Sequence, residues 1–194
     1  MALNQRMQMV ARRAADLLGG GSAPDDVKRY NAPDSGDFMD VARFAASPSP
    51  GLTAYTTLGL SAAPLLDHGR EFPARVEICG AADDEYDKFA GVVATAAFDV
   101  MGGEFIYPDR ILVDVVATYY PDYAARHALF VQPSFWDPGL TRLDADGRTV
   151  LWLQLVPVTD SEVAFAKSNG SEALVKRLIE LDAKPSDLQR APVA

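Results

Sequence analysis

Nine residues, Val150 to Val158, are apolar except for Gln154 and carry no charge. A run of that length, rich in Val and Leu, is the pattern of a strand buried on both faces. It stops at Thr159, and Thr159 and Glu162 stand in capping-box spacing. In that arrangement a hydroxyl and a carboxylate satisfy the first free amides of a helix. A core strand that turns straight into a helix is therefore expected, with Val150, Trp152, Leu153, Leu155 and Val156 buried in it. Asp146-Gly147, just upstream, is a hairpin-type turn leading into the strand.

The 194 residues fit one domain, and a 48% hydrophobic content is enough for a sizeable core. No apolar run approaches the roughly 18 residues that cross a bilayer, and the N-terminus lacks the basic-then-apolar pattern of a signal peptide. The lone cysteine, Cys79 in VEICG, rules out an internal disulfide and fits a reducing cytoplasm. Its apolar neighbours make it a small buried hydrophobe rather than a nucleophile. A net charge of −9 argues against nucleic-acid binding, which needs a basic face to neutralise phosphates. It suits a soluble acidic protein, the commoner case, or one that meets a basic partner.

Along the chain, Leu3, Met7, Val10, Ala14 and Leu17 repeat as one face of a helix over 3–18. Gly19-Gly20-Gly21 ends it. Residues 38–46, 52–60 and 73–79 read as strands, separated by the proline loop 47–51 and a loop-like stretch 61–72. Asp83, Asp84 and Glu85 are placed to open a helix, where negative charge opposes the positive helix end. Tyr86, Phe89, Ala90, Val93, Ala97 and Val100 carry its stripe until Gly102-Gly103. Strands are expected at 111–119 and 128–131. After Ser168-Asn169-Gly170, Ser171 is expected to cap a last helix bearing Leu174, Leu178 and Leu181, stopped by Pro185. Strands and helices mix without regular alternation. The fold class is α+β: a mostly antiparallel central sheet with packed helices in a single domain, 1–194.

Complete catalytic motifs are missing. No phosphate loop, dinucleotide glycine fingerprint, paired metal-spaced histidines or nucleophile elbow occurs. The sequence offers a thin acid–base or metal candidate in Asp67-His68 with Glu71 nearby. Asp83, Asp84, Glu85 and Asp87 could hold a cation or a basic partner, but a helix N-terminus explains the first three without a ligand. Asp144-Ala145-Asp146-Gly147 starts like a calcium loop and lacks its remaining ligands, so it is a turn. Trp136, in SFWDPG, belongs either to an interface or to the end of a strand.

Five segments, in order, resemble the Suppressor of fused family. They are Tyr55-Thr56-Thr57-Leu58-Gly59-Leu60-Ser61; Ala74-Arg75-Val76-Glu77-Ile78; the helix at 84–101 with its glycine pair; Leu153-Gln154-Leu155-Val156-Pro157-Val158 followed by Glu162; and Gly170, the Leu174 helix and Asp187-x-x-Arg190. They span 52–190. The resemblance implies an α+β fold, no catalytic activity and no cofactor. Eukaryotic relatives sequester a transcription factor with the help of an additional C-terminal domain, and bacterial single-domain relatives are thought to be immunity proteins that neutralise a toxin by binding it. The family's C-terminal motif nominates Arg190 as the partner of Glu77, which strand alternation sets opposite Val76 and Ile78. The alternative is a solvent-facing Glu77.

Three functions follow from the sequence. The first is a non-enzymatic cytoplasmic binding protein that holds a basic protein partner, such as a toxin domain, by the acidic residues Asp83, Asp84, Glu85 and Asp87. The second is a hydrolase or metal enzyme centred on Asp67, His68 and Glu71. The third is a structural subunit of a homo-oligomer, joined through the 3–18 stripe. Missing catalytic sets favour the first.

Overall fold

The computed structural model describes residues 2–136 and 138–194. In chain order its elements begin with α1 (Ala2–Leu18), β1 (Asp26–Asn31), β2 (Phe38–Ala45) and β3 (Leu52–Leu58). A small hairpin of β4 (Leu66–Asp67) and β5 (Arg70–Glu71) precedes β6 (Ala74–Asp83) and α2 (Phe89–Met101). Then come β7 (Ile111–Leu112), β8 (Ala125–Val131), β9 (Arg142–Ala145), β10 (Arg148–Thr159), α3 (Asp160–Asn169) and α4 (Ser171–Glu180).

Eight strands form the main sheet in the order β1-β2-β3-β6-β10-β8-β7, with β9 also on β10. The β6–β10 pair is parallel and places Trp152 beside Glu77. The other pairs are antiparallel, so the sheet is mostly antiparallel, as the sequence predicts. The uncharged run lies in β10, with Val150, Trp152, Leu153, Leu155 and Val156 all buried.

Alternation along β10 divides these side chains between two layers. Leu153 and Leu155 face the core that α2 covers with Phe89, Val92, Val93 and Val100. Val150 and Trp152 face the opposite layer, where α1 packs Val10, Ala14 and Leu18 against Ala42, Ala54 and Cys79. Further along that face, Val156 and Val158 meet Val163, Leu174 and Leu178 of α3 and α4. The burying stripe of α1 is thus Val10, Ala14 and Leu18. Leu17 is half-buried and Met7 exposed, while the side chain of Leu3 lies outside the described residues.

The structure moves several boundaries. Strand β1 escapes sequence reading because its residues, DVKRYN, are mainly polar and exposed; pairing with β2 holds it, and Tyr30 packs against the core. The acidic stretch does not open α2. Asp83 still pairs with Leu52 in the sheet, a turn follows with the Tyr86 amide on the Asp83 carbonyl, and the helix begins at Phe89. The stretch 111–119 keeps two strand residues, because Asp114 turns the chain at φ 59°. Ser171 is not a cap but the first residue of α4, and its hydroxyl donates to the Asp109 carbonyl. Asp146 and Gly147 both have positive φ, the signature of a tight hairpin turn.

Cavity formation sets the cost of truncating β10. Leu155→Ala, and Leu153→Ala beside it, should each lose about 2–5 kcal/mol, read as a lower denaturant midpoint. An unchanged midpoint in both would contradict the central position of this strand.

Candidate protein-binding surface

The acid–base candidate does not assemble. His68 sits at the tip of the β4–β5 hairpin with positive φ. Its side chain is 98% exposed and 3.7 Å from Asp67. Glu71 turns away to Arg75 at 2.6 Å and Arg148 at 2.8 Å. Among the described residues no three carboxylate, imidazole or thiol groups converge as metal ligands. The histidine that does meet a carboxylate is buried His127. Its Nδ1 accepts the Asp114 amide at 2.9 Å, which leaves Nε2–H to donate to Asp160 at 2.9 Å. That bond ties β8 to the start of α3. Separation in sequence hid it.

Glu77 and Arg190 are both buried, but they do not pair. Glu77 is 0% exposed in the middle of β6. Its carboxyl accepts the amides of Gly59 (3.1 Å) and Ser61 (3.0 Å) and the hydroxyl of Thr57. It therefore staples the single 3-10 turn Leu60–Ala62 that ends β3. Burial pushes its carboxyl above the ordinary value, against the pull of those hydrogen bonds. Gly59 adopts φ 112° there, open to glycine and strained for other residues.

Arg190 instead takes Glu162, at 2.6 and 2.9 Å through two nitrogens, and donates to the Pro157 carbonyl. Glu162 closes the expected capping box with Thr159 and also accepts the Val193 amide at 3.0 Å. One carboxylate thus joins the end of β10, the first turn of α3 and the C-terminal tail. Burial alone would raise its pKa, but the hydrogen bonds of Arg190, Val193 and Thr159 outweigh that and hold it below the ordinary carboxylate range. The family motif suggested an arginine for Glu77. The residue three after the Thr159 cap wins because it lies beside the tail.

The acidic residues Asp83, Asp84, Glu85 and Asp87 form the turn between β6 and α2. Asp84 accepts the Thr53 hydroxyl at 2.6 Å, and Asp84, Glu85 and Asp87 are exposed. Among the described residues none of the four makes an ion pair with a basic side chain. The turn rests on a cluster of Tyr86, Tyr120 and Tyr123, with ring centroids 5.3–5.8 Å apart. The Tyr86 hydroxyl donates to Asp187 at 2.9 Å, and the Asp83 amide donates to the Ser186 carbonyl. The turn runs straight into α2, with Asp87 next to the Lys88 that precedes the helix, and no side chain caps that helix end. Trp136 is buried against the α1 layer, its indole N–H on Ser47, and Cys79 is buried and free.

Comparison with known proteins agrees with this architecture. Residues 35–191 match the family model for Suppressor of fused protein (SUFU). Immunity protein YqcF of Bacillus subtilis (strain 168) is 28% identical over 199 residues, covering 100% of both chains. A SUFU homologue from Neisseria gonorrhoeae FA 1090 superposes with a TM-score of 0.70 at 15% identity, over 100% of this chain and 97% of its own. Drosophila Suppressor of Fused gives 0.64 at 12%, over 99% of this chain and 51% of its own. A chain of the Sufu–Fu complex gives 0.64 at 14%, over 99% and 92%. No helix of the described residues is long and apolar enough to cross a membrane.

Because both partners of Glu162–Arg190 are buried, removing one strands the other. Glu162→Gln or Arg190→Ala should each cost about 3–5 kcal/mol in denaturant unfolding. The depressed pKa of Glu162 fixes the sign with pH. Its contribution is present above the unfolded carboxylate value of about 4.3 and disappears as pH falls through the lower folded value. Glu162→Gln should remove that part of the acid slope, and an identical slope in the variant would refute it.

Proposed function

The chain belongs to the Suppressor of fused family, and we propose that it is an immunity protein: a binding protein, without catalytic activity, that neutralises a toxin domain by direct contact. The end-to-end likeness to a bacterial immunity protein carries this proposal. Nothing in the placement of Asp67, His68 and Glu71 favours the hydrolase alternative, since the imidazole stands in solvent and Glu71 is held by two arginines.

The partner in this proposal is a basic protein, met by the exposed turn of Asp83, Asp84, Glu85 and Asp87. A net charge of −9 would steer a cationic domain toward the chain and set the on-rate more than the final affinity. Such attraction between exposed charges is screened beyond about 8 Å at physiological ionic strength, so association should slow as salt rises.

The test is co-expression with the toxin candidate of the neighbouring open reading frame. Rescue of growth and a co-purifying complex are expected. No rescue and no complex would overturn the proposal. His68→Ala should neutralise as well as the parent. Reversing Asp84, Glu85 and Asp87 to lysine should slow association by tenfold or more at low salt, and by much less at high salt, in surface-binding kinetics. Loss of neutralisation in His68→Ala with binding intact would restore the enzyme alternative.

A further inference from the structure

Buried His127 stands between two carboxylates, and both of its ring nitrogens are already in use. It lies in β8, 4% exposed, beside Val158 of β10. Nδ1 accepts the backbone N–H of Asp114 at 2.9 Å, and Nε2 meets Asp160 Oδ1 at 2.9 Å. A backbone amide can only donate, so Nδ1 carries no proton and the ring is neutral. Imidazole is the side chain whose charge ordinarily changes between pH 5 and 8. A proton on Nδ1 sets two donors face to face, and the Asp114 amide has to leave.

The structure holds a replacement acceptor at that nitrogen. Asp114 Oδ1 is 3.8 Å from Nδ1, too far for a hydrogen bond but within reach of a small rotation. Asp114 sits at φ 59°, a left-handed conformation that is costly for a residue with a Cβ and persists only where its surroundings hold it. Three contacts do so here. The amide is on His127, the carbonyl accepts the Thr118 amide and hydroxyl, each at 3.2 Å, and Oδ1 accepts from Arg126 at 3.3 Å. Arg126 also reaches Asp160 at 3.8 Å. Around a neutral imidazole, Asp114, Asp160 and Arg126 leave a net negative charge, and the imidazolium cancels it. Glu162, also in α3, is committed to Arg190. The amides of Val116 and Ala117 both donate to the Arg126 carbonyl at 3.0 Å, and that anchor involves no titrating group.

We propose that His127 is a proton-operated pivot for the edge segment that follows β7. Nδ1 takes a proton from solvent, lets go of the Asp114 amide and donates to the Asp114 carboxylate. Nε2–H stays on Asp160. The turn at Asp114 opens, Thr118 shifts with the Asp114 carbonyl, and Val116 and Ala117 stay in place. Each ring nitrogen has a partner in both states, so the change is an exchange between two arrangements and not a loss of structure. The pivot goes beyond the reading of the chain as an immunity protein and does not depend on it.

The test is a side-chain nitrogen NMR titration of the isotope-labelled whole chain between pH 8 and 5, with exposed His68 as the reference imidazole. At the alkaline end His127 should be the Nε2–H tautomer. Towards the acid end both of its nitrogens should be protonated, and the Asp114 and Thr118 amide signals should move with the same midpoint. Amide exchange at Asp114, corrected for its intrinsic rate, should rise by about tenfold or more, while Val116 and Ala117 stay protected. Asp114→Asn keeps the backbone amide and tolerates the positive φ but removes the charged acceptor. In that variant the His127 midpoint should fall by about half a pH unit or more. An imidazole that stays neutral throughout, one that titrates while the Asp114 amide holds, or an unchanged midpoint in a folded Asp114→Asn would each overturn the proposal. Loss of Val116 and Ala117 protection in the same step would mean acid unfolding and overturn it too. The wild-type titration decides the matter even if the variant does not fold.

Discussion

A strand that carries no charge from Thr149 to Thr159 has to be covered on every side, and β10 is the constraint around which this molecule is arranged. Its two edges are taken by β6 and β8, with β9 continuing the second edge at its beginning. Its two faces are taken by α2 on one side and by α1 and the α3–α4 pair on the other. Twelve residues, Arg148–Thr159, therefore touch every layer of the fold. Helical cover on both faces follows from the sequence of this one element, because apolar side chains of both parities need burial.

The polar groups inside that arrangement serve to end things cleanly. Glu77 receives the amides that β3 leaves free as it turns into Leu60–Ala62. Glu162 receives the amide that β10 leaves free as it becomes α3, and binds the tail through Arg190 and Val193. Each is a buried carboxyl that receives amides where a strand ends, yet their environments differ. Glu77 meets amides and a hydroxyl, so burial prevails and its pKa rises. Glu162 meets a guanidinium as well, and its pKa falls. A lone buried carboxyl and a paired one thus respond to acid in opposite senses within the same domain.

Local chemistry was legible in the sequence, and long-range choice of partner was not. The β10 run, the Thr159–Glu162 box and the Asp146-Gly147 turn depend on neighbours within a few residues, and the structure contains all three. Strand β1 is polar because it is an edge, where Lys28 and Arg29 discourage further pairing; hydrophobic periodicity has nothing to detect there. The acidic stretch mimics a helix start, and only the pairing of Asp83 with Leu52 shows that the sheet continues through it. The partners of Arg190 and His127 are Glu162 and Asp160, each about thirty residues away in sequence. No spacing rule reaches that far.

The parallel alignment of β6 with β10 carries a consequence for how the chain comes into being. Residues side by side there, such as Glu77 and Trp152, are separated along the chain by α2, β7, β8 and β9. Contacts of such high sequence separation incur loop-closure entropy before they return any stability, which makes folding slow. As the chain leaves the ribosome, β1, β2, β3 and β6 can pair among themselves while one edge of β6 stands open. It stays open until residues 148–159 emerge and fill it. An unpaired edge of apolar strand is a template for association with other chains. The nascent N-terminal half is therefore the stage at which this protein is most exposed to aggregation, and the arrival of β10 ends it.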